Sequence, residues 1–421
     1  MPDQSVTLRG VSWRDCCPWL ILFRTFSLAA SPIILLLATA ALVGDTAGWR
    51  VCSVLFDSAT AYDSHPNLVH AVDTMNQWPS ERDAFTFDWS GDTELRENVT
   101  TGLTSGEIAR VWQRVSQPFR LLFAERVGLR SYGYLIAGCV WSLLVWSFFG
   151  AAIARSAALR LTIDERVSLK KLLGFAREKF SAFFAAPFLA LLAVFAISIL
   201  AGVIFGLLAK TDLLLVVAAV LWPLMLIAGL LIVILLLGIA LGWPLMWGTI
   251  ASEGTDGFDA LSRSYGYTFQ RPLHYAFYVA VALAYGALCS LVVSAVAGGA
   301  IHFSYWSLSW GTELFVLSDG EVPRIEQIQN VIANDRVTSE TLWAGTGLIE
   351  FWNGAVLSVA RAFAYSYFWV AATAIYLLLR RDVDQAELDE IYLDDEDEPV
   401  GMPGDMTNVE TPNDDGMTKQ E

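Results

Sequence analysis

The chain has 421 residues, 55% of them hydrophobic, and a formal net charge of −16. Soluble domains average about 45–50% apolar residues, and here the excess is gathered into six runs, which excludes an ordinary soluble fold. Fifteen Asp and Glu against one Lys fall between Asp382 and Glu421, so the acidity belongs to one tail and a basic, nucleic-acid-binding surface is excluded.

Residues 1–24 form an N-terminal segment carrying Arg9, Arg14, Arg24 and the vicinal pair Cys16–Cys17. The pair reads as boundary packing, with S-acylation as the functional alternative. The first apolar run is Thr25–Gly44. Cleaved signal peptides have apolar regions of only about 7–15 residues, so this run reads as an uncleaved anchor.

The loop 45–130 follows. Thr104-Ser105-Gly106-Glu107 fits a capping box. Ile108, Val111, Trp112, Val115, Phe119, Leu122 and Phe123 then recur at helical spacing, with Arg110, Arg114, Arg120 and Arg126 between them and Pro118 as a bend. The expectation is an amphipathic helix lying on the membrane surface. Asp45–Gly102 reads as largely irregular, broken by Pro66 and Pro79. His65 and His70 have Asp63 and Asp73 nearby, but a metal site needs three or four converging ligands. No metal and no cofactor is expected.

Five further runs complete the set: Ser131–Ala154, Phe183–Leu208, Ala219–Trp247, Leu273–Gly298 and Val356–Leu379. Each is about 20 residues or longer, enough for a ~30 Å hydrocarbon core at ~1.5 Å per residue. The runs are continuous rather than alternating, which predicts helices and not a β-barrel. The expected fold is all-α: a multi-pass bundle of six transmembrane helices (residues 25–379) with amphipathic surface helices, large loops at 45–130 and 299–355, and an acidic tail at 380–421. No charge interrupts the chain between Asp212 and Thr249. One long, tilted or kinked helix is the preferred reading there, with a re-entrant piece over Leu213–Trp222 as the alternative.

Basic residues set the orientation. Arg155–Lys179 holds seven Lys and Arg against three acids, whereas Ala300–Asn353 holds two Arg against seven acids. Positive loops stay in the cytoplasm, which places both termini inside. Trp13, Trp19, Trp49, Tyr132, Trp243, Trp247, Tyr275 and Tyr376 fall at expected boundaries, as interfacial aromatics do. No run contains an Asp or Glu, which counts against ion coupling.

Ser168–Phe180 and Gly257–Phe269 align at an offset of 89 residues. Leu169, Leu172, Ala176 and Phe180 match Phe258, Leu261, Tyr265 and Phe269, one helical face in each. This suggests a parallel repeat of span, surface helix, span, as some transporters have.

Glu253-Gly254 followed by Ala260-Leu261-x-Arg263-Ser264-Tyr265 resembles the E-G…A-L-x-x-S-[WY] signature of polytopic bacterial membrane domains. One such domain lies beside some glycerophosphodiester phosphodiesterases; uncharacterised six-span proteins of planctomycete type are more similar still. The resemblance covers about half the chain, extending loosely to Gly150–Phe180 and Tyr376–Tyr392. It implies a helical fold in a bacterial inner membrane and no reaction.

Four residues are singled out as functional candidates: Glu253, Arg263, Ser264 and Arg361. Glu253 could bind a cation or pair with Arg263, while Asp256 and Asp259 read as helix caps. Arg361 lies roughly 28 Å along a helix from Arg380, near the far boundary, where it can snorkel. No zincin, nucleophile-elbow, paired C-x-x-C or Walker motif occurs, so no catalytic residue is named. The leading expectation is a non-enzymatic scaffold, assembly or interaction protein, contacting the bilayer and, through its acidic tail, a protein partner. A transporter or channel and a lipid-acting membrane enzyme remain as alternatives.

Overall fold

The first span begins at Pro32, not at Thr25. The computed structural model describes residues 17–56, 73–82, 84–123, 129–314, 324–334, 340–387 and 390–393. Arg9, Arg14, Cys16, His65, His70, Arg126 and the acidic run after Leu393 lie outside the described residues. A 3-10 turn at Pro18–Arg24 and a short helix α1 (Thr25–Ala29) precede the first span helix α2 (Pro32–Leu55). Ser31 is extended (φ −67°, ψ 140°) and Pro32 has no N–H to donate, so the helix restarts there. The span is therefore displaced toward the loop, and Asp45 falls inside it.

Then come α3 (Leu95–Thr104), α4 (Glu107–Leu121), α5 (Leu129–Thr162), α6 (Leu169–Glu178) and α7 (Phe180–Leu208). They are followed by α8 (Asp212–Glu253), α9 (Gly257–Gln270), α10 (Pro272–Glu313), α11 (Arg324–Asn334) and α12 (Glu340–Asp384). Six of these, α2, α5, α7, α8, α10 and α12, are long and apolar enough to cross a bilayer. Among the described residues there is no strand. The all-α, multi-pass architecture follows. The described residues up to Ile391 form one compact unit.

The last span is the axis of the bundle. From Ala362 to Leu379 every residue except Phe368 is buried, and α2, α5, α8 and α10 pack around it. Close approach rests on small residues, as is usual where lipid supplies no hydrophobic drive. At the α2–α5 seam Gly48 lies under Trp141 and Gly138 under Trp49; a Cβ on them would sit 1.8 and 2.0 Å from the indole rings. Trp49, Trp243, Trp247 and Tyr376 are thus core residues, each at most 2% exposed, rather than interfacial anchors. Trp247 stacks on Trp369 at 4.3 Å and donates its N–H to the Phe183 carbonyl at 3.0 Å.

The uncharged run is one continuous helix, α8, of 42 residues with Pro223 and Pro244 inside it. Its length of about 63 Å is twice a ~30 Å hydrocarbon core. Only its Glu253 end is embedded in the bundle: Gly242–Ser252 is buried, while Leu213, Val216, Val220 and Leu224 are mostly exposed. Such a helix must tilt strongly or have its tip covered.

Three local expectations are corrected. α4 forms over the expected residues, but the capping box does not. Gly106, left-handed at φ 65°, is its N-cap, and the Glu107 carboxylate accepts from the Phe85 N–H at 2.9 Å. The apolar face of α4 faces the bundle: Trp112 sits against Trp243 and Phe368 at 5.8 and 5.9 Å. α3 forms in a stretch expected to be irregular.

The aligned faces of α6 and α9 also differ. α6 buries Leu172, Phe175 and Ala176, whereas α9 buries Gly257, Ala260, Ser264, Tyr267 and Thr268. Phe258 and Phe269 are 71% and 54% exposed. A Cβ on Gly257 would meet the Ala182 carbonyl at 2.9 Å. The small side of α9 therefore seats against α7, Tyr265 packs on Gly238 of α8, and Phe258 and Phe269 face outward.

Candidate functional site

Glu253 ends α8, and Gly254 (φ 65°) turns the chain toward α9. The Asp256 carboxylate accepts from the Asp259 N–H at 2.9 Å and starts α9. Lys179 donates to the Gly254 carbonyl at 2.9 Å, tying in the start of α7. This corner gathers a charged node. Glu253 pairs with Arg263 through one carboxylate oxygen. Its other oxygen takes Arg380 Nε at 3.1 Å and the Tyr376 hydroxyl at 2.5 Å. Arg263 also holds Asp259 at 3.0 Å. The Glu253 side chain is only 9% exposed and that of Arg380 13%.

Desolvation opposes the Arg263 charge, but Glu253 and Asp259 outweigh it and raise its pKa. Burial pushes up the Tyr267 phenol, helped by its hydrogen bond to Asp384. Burial alone pushes Tyr265 up to about 12. The node thus joins α8, α9 and α12 by paired charges, leaving Glu253 committed to two guanidinium groups rather than open to a cation.

The other two candidates do not join it. Ser264 is fully buried, donates to its own-turn Leu261 carbonyl at 2.9 Å, and packs on Gly242. It is a small packing residue. Arg361 sits toward the loop end, where it donates to the Pro79 carbonyl at 2.6 Å. Instead of snorkelling to the headgroups, it fastens the 45–130 loop over the bundle.

Sequence reasoning missed two features. Arg380 and Tyr376 reach Glu253 across more than 120 residues, and no local pattern announces that pairing. Asp45 was missed because the span was placed too early. It is half-buried in α2 and accepts from Ser142 at 2.5 Å, while Ser142 accepts from the Trp49 indole at 2.8 Å. Ser142 is thirteen residues from Arg155 on α5, about 20 Å into the bundle. Arg82, 6% exposed, lies near Asp45 and donates to Thr46 at 2.8 Å and Tyr365 at 3.3 Å. A cleft of about 40 Å³ adjoins these groups, room for at least one water.

A larger space is apolar. α8 and α10 both pack on α12 and leave between them a groove of about 620 Å³, walled by Leu241, Pro244, Ala276, Val279, Ala280 and Ala372 among others. Small-molecule sites have volumes of about 300–1,000 Å³. The hydroxyls on its wall are already engaged: Tyr275 of α10 donates across to the Leu241 carbonyl of α8 at 2.7 Å, Tyr367 to Ala282 at 2.8 Å and Thr268 to Ser264 at 2.8 Å. Apart from Gln113 at the α4 end, the groove therefore offers shape and apolar surface rather than hydrogen bonds.

The fold and site define a six-span helical membrane protein with an ion-paired end and a lateral apolar groove. No family model, no curated protein and no solved structure matches this chain.

Proposed function

We propose that this protein is a non-enzymatic integral membrane protein that works by binding, as a scaffold or assembly factor. The groove would receive an apolar partner from within the bilayer. The observation that carries this reading is that groove, with its wall hydroxyls satisfied by backbone carbonyls, next to a charged node whose Glu253 is fully engaged. An apolar ligand leaves none of these hydroxyls unpaired.

The charged end faces the cytoplasm of a bacterial inner membrane, with both termini inside. Support comes from Lys170, Lys171, Arg177 and Lys179, which fall near the same end as Arg380 and Arg381. The likeness of Glu253–Tyr265 to bacterial membrane domains supports the same setting. The acidic tail would then meet a basic partner in the cytoplasm.

Affinity purification in mild detergent tests this. The full chain should carry a defined partner or lipid, and deleting Asp394–Glu421 should remove any cytoplasmic protein while leaving a groove-bound one. Recovery of nothing beyond detergent from either form would overturn the binding reading.

One observation favours transport as a second reading: Asp45, a carboxylate within a span and beside Arg82 and a small cleft. Intramembrane carboxylates mark ion pathways. It predicts a proton leak in proteoliposomes that Asp45→Asn abolishes; equal fluxes in both proteins, matching empty vesicles, would remove it.

A further inference from the structure

The groove between α8 and α10 has a length, a closed end and an exposed arginine next in sequence to its last lining residue, and together they specify an occupant. Its wall on α10 runs from Pro272 to Leu283, eleven steps or about 17 Å. One leaflet's share of a ~30 Å core is about 15 Å. A spanning helix of a partner would need the full thickness, and α4 denies it. Trp112 is wedged against Trp243 of α8 and Phe368 of α12. Ile108 lies against α10 so closely that a Cβ on Gly286 would meet it at 2.8 Å. The groove is thus stopped by α4 about halfway across the bundle.

At its other end the groove reaches Pro272, the first residue of α10. Arg271 immediately precedes it and is exposed. Unlike Arg263 and Arg380, Arg271 makes no ion pair among the described residues. A guanidinium beside the N-terminus of a 42-residue helix is suited to an anionic phosphate. Apolar length for one leaflet and a cation beyond its open end belong to one ligand class.

We propose that the groove holds one acyl chain of a phospholipid from the leaflet at the Glu253 end, with its phosphate on Arg271. This names the ligand of the binding reading above and rests on it. The lipid would fill the gap that α8 and α10 leave on α12, completing the bundle wall. It would be retained when bulk lipid is exchanged for detergent.

The test uses the full-length protein purified in mild detergent. Native mass spectrometry counts bound phospholipid, and benzoylphenylalanine placed at Val279 or at Leu237 captures neighbours by photocrosslinking. Val279 lines the groove; Leu237 is an exposed α8 residue that does not. The expected result is a phospholipid-mass adduct at 279 and not at 237, with one phospholipid per chain in the unmodified protein. Ala280→Trp should empty the groove. Arg271→Gln should lower retention roughly tenfold, the loss of one charge-assisted hydrogen bond.

A peptide adduct at 279 would overturn the lipid and leave the binding reading standing. Equal lipid labelling at 279 and 237, or retention unchanged in both Ala280→Trp and Arg271→Gln, would also overturn it. No adduct at 279, with no retained lipid or protein, would overturn both.

Discussion

Replacing Glu253 should unlock the charged end of the bundle. Its carboxylate receives Arg380, Arg263 and Tyr376 while only 9% exposed. Glu253→Ala leaves Arg380, 13% exposed, with Glu390 at 3.8 Å as its remaining acidic partner. Breaking a buried pair by removing one member costs about 3–5 kcal/mol. Arg263 adds little, being 42% exposed and still held by Asp259. Glu253→Gln keeps an acceptor for Tyr376 and loses only the charge, so about 1.5–3 kcal/mol is expected.

The assay is unfolding by SDS in mixed micelles, followed by helicity. A double-mutant cycle with Arg380→Met isolates the pair. The expected order is wild type, then Glu253→Gln, then Glu253→Ala. If Glu253→Gln falls within about 0.5 kcal/mol of wild type, the scatter of ordinary surface substitutions, the node contributes nothing and the reasoning fails.

Other outcomes follow from the same geometry. Gly257→Ala should destabilise by about 1–3 kcal/mol, because the new Cβ meets the Ala182 carbonyl and Ala186 N–H, backbone atoms that cannot step aside; the same unfolding assay reads it. Arg82→Ala removes hydrogen bonds to Thr46, Tyr365 and Gln77, and should cost at least about 2 kcal/mol and admit protease to the 73–123 segment. The Tyr265 phenol, held up at about 12 in the folded protein, stays protonated above the ordinary value of about 10. Its contribution is complete below pH 10 and is lost as pH rises toward 12. Absorbance titration at 295 nm against Tyr265→Phe should show one tyrosinate appearing late; a difference titrating at 10 would contradict the burial of that ring.

The spans were legible because hydrocarbon demands length and continuity, and no soluble helix needs twenty apolar residues together. The charged partners inside the bundle were less legible. Glu253 and Arg263 are ten residues apart on adjoining helices, so local spacing brought them together on paper. Arg380 and Tyr376 lie far along the chain, and only the packing of α12 at the centre delivers them. The position of the first span was misread because composition alone makes Thr25–Gly44 apolar enough; the backbone chemistry of Pro32 decides the start. Once Asp45 is inside α2, a carboxylate enters a span thought to have none. The amphipathic character of aromatic rings points to the interface, but the facing Gly138 on α5 draws Trp49 into the seam. The groove had no signal in the sequence: it is the space two helices leave when both pack on a third.

The most direct test of the account is a cryo-electron microscopy map of the full chain in lipid nanodiscs. Elongated density is expected between α8 and α10, starting near Arg271 and stopping at Trp112. A groove closed along its whole length, rather than bridged only by the Tyr275–Leu241 hydrogen bond, or filled by a helix crossing the whole membrane, would contradict the bound acyl chain.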